Sequence, residues 1–159
     1  MRYSFPVPHL IHRFKFQHDL VTGHLLACMF ARQALQFFRP DALLAVPLSS
    51  GKLRRRGFNQ ALELARRVSR NLNLPLLRHC VERHQRHERT QSTLHSRVAR
   101  TQNVREVFHV KHQHLDEIQN KHIAIIDDVM TSGATAAALS RVLLENGARQ
   151  VDIWILARA

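Results

Sequence analysis

The segment from His122 to Thr135, HIAIIDDVMTSGAT, constrains the fold more than any other stretch of the chain. The apolar run His122–Ile126 predicts a strand buried in a sheet, with two adjacent carboxylates, Asp127 and Asp128, at its C-terminal end. A turn of small residues follows, Thr131-Ser132-Gly133-Ala134-Thr135. A helix from Thr135 to Asn146 then ends at Gly147, a residue suited to a left-handed cap. Val151–Leu156 predicts the last strand.

The same alternation runs through the earlier chain. The first 18 residues read as an aromatic- and His-rich lead-in. Leu20–Phe38 predicts a helix, stopped by Arg39-Pro40. Ala42–Val46 predicts a short buried strand. Pro47–Phe58 reads as a loop with Gly51, Gly57 and a cationic core of Lys52, Arg54, Arg55 and Arg56. Asn59 is placed to cap a helix running to about Leu72, with Leu62, Ala65 and Val68 on one face and Arg66, Arg67 and Arg70 on the other. Leu76–Val81 and Asn103–Val110 predict strands. Glu82–Gln102 lacks an apolar period and reads as a long loop, a kind often functional in compact domains. Strands alternating with helices imply an α/β fold, a mostly parallel twisted sheet flanked by helices. At 159 residues the chain fits one domain, 1–159, with a substantial core.

Composition narrows the partners. Lys and Arg total 24 against 12 acidic residues, giving +12, with 12 His besides. Such a surplus favours anionic ligands, either nucleic acid or phosphate-bearing small molecules. An apolar fraction of 45% with 23% charged residues argues against long disorder. Cys28 and Cys80 form no C-x-x-C pair, so no cysteine zinc site is expected and no disulfide framework is indicated. Cys28 is expected in a helix core, in a reduced, intracellular protein. Pro6, Pro8, His9, His12, Arg13 and Lys15 break any secretory apolar stretch. His24, Arg32, Gln33 and Gln36 make Leu20–Phe38 amphipathic rather than membrane-spanning.

The chemistry concentrates at Asp127 to Thr135. In open α/β sheets, ligands bind in the crevice beyond the strand C-termini. Gly133 permits positive φ and close ligand approach. Successive backbone N–H groups there can form a nest at a helix N-terminus, worth about 0.3–1 kcal/mol to an exposed anion. Thr131, Ser132 and Thr135 add hydroxyl donors. Two acids beside a phosphate cradle make sense once a sugar lies between them. A ribose 5-phosphate fits, with its phosphate in the turn and its 2- and 3-hydroxyls on Asp127 or Asp128. Neighbouring residues on a strand point to opposite faces, so both acids reach one ligand only if the strand has ended there. Walker A spacing fails at Gly51-Lys52, no G-x-G-x-x-G is present, and Asp127-Asp128-Val129 lacks EF-hand spacing.

This strand–DD–V-x-T-x-G-A-T–helix segment resembles the PRPP-binding motif of type I phosphoribosyltransferases. Val46-Pro47-Leu48, Arg54 and Arg56-Gly57-Phe58-Asn59-Gln60 resemble the ComF/GntX-like branch, as do Thr90-Gln91, Leu94, Arg100, Asn103-Val104 and Phe108. Leu10-Ile11-His12, Lys15-Phe16 and Asn146-Gly147-Ala148 also fit, so the resemblance spans nearly the whole chain. Many relatives carry an N-terminal cysteine-rich module that is missing here, which implies a short member or a trimmed chain. The spacing from Leu94 to Arg100 is slightly longer than usual.

The resemblance implies a type I phosphoribosyltransferase fold with a small hood from N-terminal and loop segments. It implies that Thr131, Ser132, Gly133, Ala134 and Thr135 hold the 5-phosphate of PRPP, and Asp127 and Asp128 the ribose hydroxyls, in a role other than proton transfer. Leu48, Ser49, Ser50 and Gly51 would face the pyrophosphate, with Arg54 and Arg56 as the nearest cations. Arg89 and Arg100 would sit on a loop closing over the reacting centre. Mg²⁺ would arrive with PRPP, held by phosphate oxygens more than by a protein cage. The implied service is DNA uptake or nucleotide salvage in the cytoplasm, with competence proteins as partners and no membrane insertion. No residue set selects an acceptor base. A non-enzymatic PRPP or nucleotide sensor and a basic single-stranded-DNA-binding accessory protein are the competing readings.

Other residues have ordinary readings. His84, His87, His109, His112 and His114 lie on polar segments, and none is assigned as a metal ligand. Lys15 and Phe16 suit either a hood or packing. Phe58 reads as a core anchor over a base-stacking platform, and Trp154 as packing.

Overall fold

The computed structural model describes residues 5–17, 19–34, 36, 39–83 and 108–159. In chain order the elements are α1 (Val7–Phe16), α2 (Leu20–Ala34), β1 (Ala42–Ala45), α3 (Ser50–Arg56), α4 (Gln60–Leu72), β2 (Leu76–Leu77), β3 (Val81–Arg83) and β4 (Phe108–Val110). A 3₁₀ turn (His112–Glu117), β5 (His122–Met130), α5 (Ala134–Glu145) and β6 (Gln150–Arg158) complete them. Four strands form one parallel sheet in the order β2-β1-β5-β6, and β3 pairs antiparallel with β4 in a second, smaller sheet.

The two central strands are the most apolar. All four residues of β1 and the first five of β5 are buried. A strand with neighbours on both edges and helices over both faces needs apolar side chains pointing both ways, hence an unbroken run rather than alternation. The start of β5 is fixed by His122, whose backbone N–H donates to Asp41 Oδ2 (2.8 Å) and whose Nε2 meets Asp152 (2.9 Å). Trp154 on β6 is buried, as expected for packing.

Several elements differ from the sequence reading. The lead-in forms α1, because Ile11 and Phe14, three residues apart, are buried together while Pro8 sits in the first turn, where no N–H is needed. Gly23 on α2 receives the Phe14 ring: a Cβ there would lie 2.5 Å from Phe14 Cε2. The described part of α2 ends at Ala34, and Phe38 lies outside the described residues. The loop Pro47–Phe58 contains the short helix α3, closed by Gly57 at φ 75°. The single strand expected over Leu76–Val81 is split. β2 ends at Leu77, and the chain turns through Arg78–Cys80 into β3 of the other sheet. Of Asn103–Val110, only Phe108–Val110 falls in described strand. Cys28 is half-buried, and Cys80 is the cysteine in the core.

Asn59 caps α4 as expected, accepting from the Leu62 N–H at 3.3 Å. Its Nδ2 also donates to Val46 O at 3.0 Å. Phe58 meets the Phe14 ring edge-on at 5.7 Å between centroids, consistent with a core anchor. Gln60 is buried and accepts from Arg56 Nη1 at 3.0 Å. The Arg-Gly-Phe-Asn-Gln block is therefore architectural. It joins the exit of β1 to the start of α4.

Among the described residues no helix is long and apolar enough to cross a membrane.

Candidate functional site

The sheet order places the site. From β1 the chain crosses through α4 to β2 on one side, and from β5 through α5 to β6 on the other. Right-handed crossovers in opposite directions put α4 and α5 on opposite faces and leave a crevice between β1 and β5 at their C-terminal ends. Pairing of β1 with β5 stops at Ala45↔Ile126, and Val46 N–H donates to Ile126 O at 3.0 Å. Beyond that point β5 keeps β6 but has no β1 partner, so Asp127 onward borders the open crevice.

The strand does not end at the acids. β5 runs on to Met130, paired in unchanged register with β6 as far as Met130↔Arg158. The two carboxylates therefore occupy different environments. Asp128 Oδ2 pairs with Lys15 Nζ of α1 at 2.8 Å, with side chains only 10% and 18% exposed, and Asp128 Oδ1 accepts from Val129 N–H at 2.7 Å. Asp127 Oδ1 accepts from Asp128 N–H at 2.9 Å. Burial, then the Asp128 charge, push Asp127 up to about 6 from 3.8. Burial lowers the pKa of the half-buried Arg83 of β3, and the nearby Asp127 carboxylate offsets part of that. Arg83 also lies over the Phe108 ring, 5.5 Å from its centroid.

The turn behaves as its composition demands. Gly133 has φ 75°, the left-handed region, and stands at the N-cap of α5 with no side-chain cap bond. Ser132 Oγ accepts from Ala134 N–H at 3.4 Å. Thr131, Ser132 and Ala134 are exposed and Thr135 half-buried. Gly147 closes the far end of α5 at φ 93°.

Across the crevice, Leu48 and Ser49 lead from β1 into α3, which begins with Ser50 and Gly51. A Cβ added at Gly51 would meet nothing within 4 Å, so packing does not require glycine there. Leu48 lines a cavity of about 390 Å³ with Pro47, Phe58, Arg78 and His79. Arg54 is exposed. Arg56 is instead engaged, bonded to Gln60 and lying 5.2 Å from the centroid of the Phe16 ring. Arg89 and Arg100 lie outside the described residues. Sequence reasoning missed Arg83 and did not foresee that Lys15 pairs with Asp128. Both contacts join elements distant in sequence, and no local pattern announces them.

No protein-family model matches the chain. It is 35% identical to competence protein F of Haemophilus influenzae over 163 residues, covering 99% of this chain and 70% of that protein. It is 34% identical to the DNA utilization protein YhgH of Escherichia coli (98% and 69% covered) and 30% identical to competence protein ComFC of Bacillus subtilis (92% and 58%). Among solved structures it resembles the glutamine phosphoribosylpyrophosphate amidotransferase of B. subtilis complexed with ADP and GMP, with a TM-score of 0.59 and 19% identity over 84% of this chain and 26% of that one. It also resembles an allosteric regulatory enzyme of purine biosynthesis, with a TM-score of 0.54 and 20% identity over 85% and 26%. At those identities the structural likeness shows the fold alone. On the strength of its sequence relatives the chain belongs to the competence protein F (ComF) family, built on the type I phosphoribosyltransferase fold.

Proposed function

We propose that this protein binds PRPP, with Mg²⁺, in the crevice between β1 and β5. The observation that carries the reading is the pairing of a glycine-hinged turn at the start of α5 with two carboxylates on the open edge of β5. The turn suits the 5-phosphate, through backbone N–H groups and the Thr131, Ser132 and Thr135 hydroxyls. Because β5 runs on past both acids, the ribose hydroxyls suit Asp127 or Asp128, according to the face of the strand that the ligand takes. Lys15 Nζ meets Asp128 Oδ2 at 2.8 Å and offsets charge at this edge. Leu48, Ser49, Ser50 and Gly51 follow β1, the neighbour of β5, and would face the pyrophosphate, with Arg54 and Arg56 as the nearest cations.

Mg²⁺ fits as a companion of the ligand. Asp127 is a carboxylate whose charge is disfavoured by burial and by Asp128, so an added cation is welcome there. Phosphate oxygens would fill most of its shell. When bound, it offsets negative charge on the pyrophosphate. If the chain turns PRPP over, cleavage at C1 builds negative charge on the leaving group, and Arg89 and Arg100 are the residues assigned to stabilise it. Arg89→Ala and Arg100→Ala should then lower turnover and leave PRPP affinity within a few-fold.

The relatives' names support service in competence or DNA utilization, and the proposal extends to DNA uptake or nucleotide salvage in the cytoplasm with competence proteins as partners. PRPP added with Mg²⁺ should raise the thermal midpoint in proportion to the logarithm of ligand concentration. An unchanged midpoint at saturating PRPP would sink the reading. Pyrophosphate release assayed across purine and pyrimidine bases separates a transferase from a non-catalytic PRPP sensor.

One observation favours a second reading: α3 exposes Lys52, Arg54 and Arg55 on a chain of net charge +12. Single-stranded DNA binding there should weaken steeply as salt rises. No binding at low salt removes it.

A further inference from the structure

Away from the crevice, folding gathers a mixed set of donor atoms. Cys80 stands just before β3 and is 1% exposed. His114 and Glu117 come from the 3₁₀ turn that follows β4. Cys80 Sγ donates to Glu117 Oε2 at 3.4 Å, and His114 Nδ1 lies 2.6 Å from Glu117 Oε1. One donor atom from each residue lies within 4.8 Å of the other two. The other ring nitrogen of His114 meets the Gln113 amide at 3.3 Å, the kind of outer partner that orients a ligating imidazole.

The backbone holds these residues in place. Lys111 N–H donates to Cys80 O at 2.9 Å, next to the Val81↔Val110 pair. His114 N–H donates to Lys111 O at 2.9 Å, and Ile118, fully buried, anchors the end of the turn. Tetrahedral Zn²⁺, with bonds of about 2.3 Å to sulfur and about 2.0–2.1 Å to nitrogen and oxygen, spaces its ligand atoms roughly 3.3–3.6 Å apart. The Cys80–Glu117 separation already matches. The His114–Glu117 separation reaches that range by a small rotation of Glu117, whose side chain is 47% exposed. A thiolate with an imidazole and a carboxylate selects Zn²⁺ over the hard cations that accompany phosphates.

We propose that Cys80, His114 and Glu117 form a zinc site that clips the 3₁₀ turn to the root of the β3–β4 pair, with the fourth position open to solvent. On binding, the Sγ–H bond breaks, the proton leaves to solvent and an Sγ–Zn bond forms, with no change of oxidation state. β3 and β4 are the two ends of residues 84–107, the segment containing Arg89 and Arg100. The metal would fix both take-off points of that segment. The site itself does not depend on the PRPP reading.

The test is titration of the full chain, stripped with chelator, first with Co²⁺ and then with Zn²⁺. One equivalent of Co²⁺ should produce a thiolate-to-cobalt charge-transfer band and tetrahedral d–d bands, and Zn²⁺ should abolish both. Binding to histidines alone, of which the chain has 12, gives no such charge-transfer band. Cys28→Ser is the control for the other cysteine, which has His24 Nε2 at 3.7 Å from its Sγ. The band should persist in that variant and vanish in Cys80→Ser. His114→Gln and Glu117→Gln, which alter the outer edge of the cluster, should each weaken Zn²⁺ by roughly tenfold or more. They keep the test decisive if Cys80→Ser does not fold. A wild-type chain without the band, a band that survives Cys80→Ser or is lost in Cys28→Ser, or unchanged affinity in both outer variants would overturn the proposal.

Discussion

Asp127→Asn and Asp128→Asn alter neighbours in one motif, yet they should move stability in opposite directions. Asp127 is pushed from 3.8 up to about 6 by burial and by the Asp128 charge. At about 1.36 kcal/mol per unit, the ionised form costs the fold up to about 3 kcal/mol. The favourable contribution of this group is complete below its unfolded pKa and is lost as pH rises through about 6. At neutral pH the folded chain carries the whole penalty. Asp127→Asn keeps the oxygen that accepts from Asp128 N–H and removes the charge. It should therefore stabilise the unliganded protein at neutral pH by about 1–3 kcal/mol, or roughly 2–10 °C in Tm. Most of that gain should vanish below about pH 4, where the wild-type group is protonated too. Asp128→Asn instead strands the Lys15 ammonium, 18% exposed, without its counter-charge. That should cost about 3 kcal/mol or more. Denaturant unfolding read from Trp154, the single, buried tryptophan, measures both variants at both pH values. A neutral-pH loss of stability in Asp127→Asn, or the same sign for both variants, would refute the division of environments drawn here.

Three further outcomes are expected. Asn59→Ala removes both the α4 cap and the tether to Val46 O, and should cost about 1–2 kcal/mol in urea unfolding without changing the m-value. Gly23→Ala should destabilise by about 1–2 kcal/mol, because overpacking against the buried Phe14 ring outweighs the helix-propensity gain of roughly 1 kcal/mol. A stabilised variant would mean that α1 is not seated on α2. Arg83→Met should weaken PRPP binding if Arg83 compensates Asp127 in the loaded crevice. Unchanged affinity in a calorimetric titration would remove Arg83 from the site.

The switch point was legible because its signals are local. A buried parallel strand must be apolar on both faces, so Ala42–Val46 and His122–Ile126 stood out, and Gly133 and Gly147 marked the turns on either side of α5. What escaped depends on partners distant in sequence. Pro6 and Pro8 look like breakers, and only burial of Ile11 and Phe14 shows α1 to be a helix with proline in its first turn. α3 buries none of its residues, so it carries no apolar period to read. β5 continues past its acids because β6 continues beside it, which nothing in DDVM announces. The Arg-Gly-Phe-Asn-Gln block carried much of the family resemblance. Its capping and packing contacts explain why Phe58, Asn59 and Gln60 stand together.

The most direct test of the central claim is a calorimetric titration of PRPP with Mg²⁺ into the wild-type chain and into Gly133→Val. At φ 75° a β-branched residue is strained by about 1–2 kcal/mol, so the turn changes shape while the sheet has no reason to unfold. The account predicts saturable binding to the wild type that is lost in the variant. No binding by a folded wild-type chain, or equal binding by both, would contradict it.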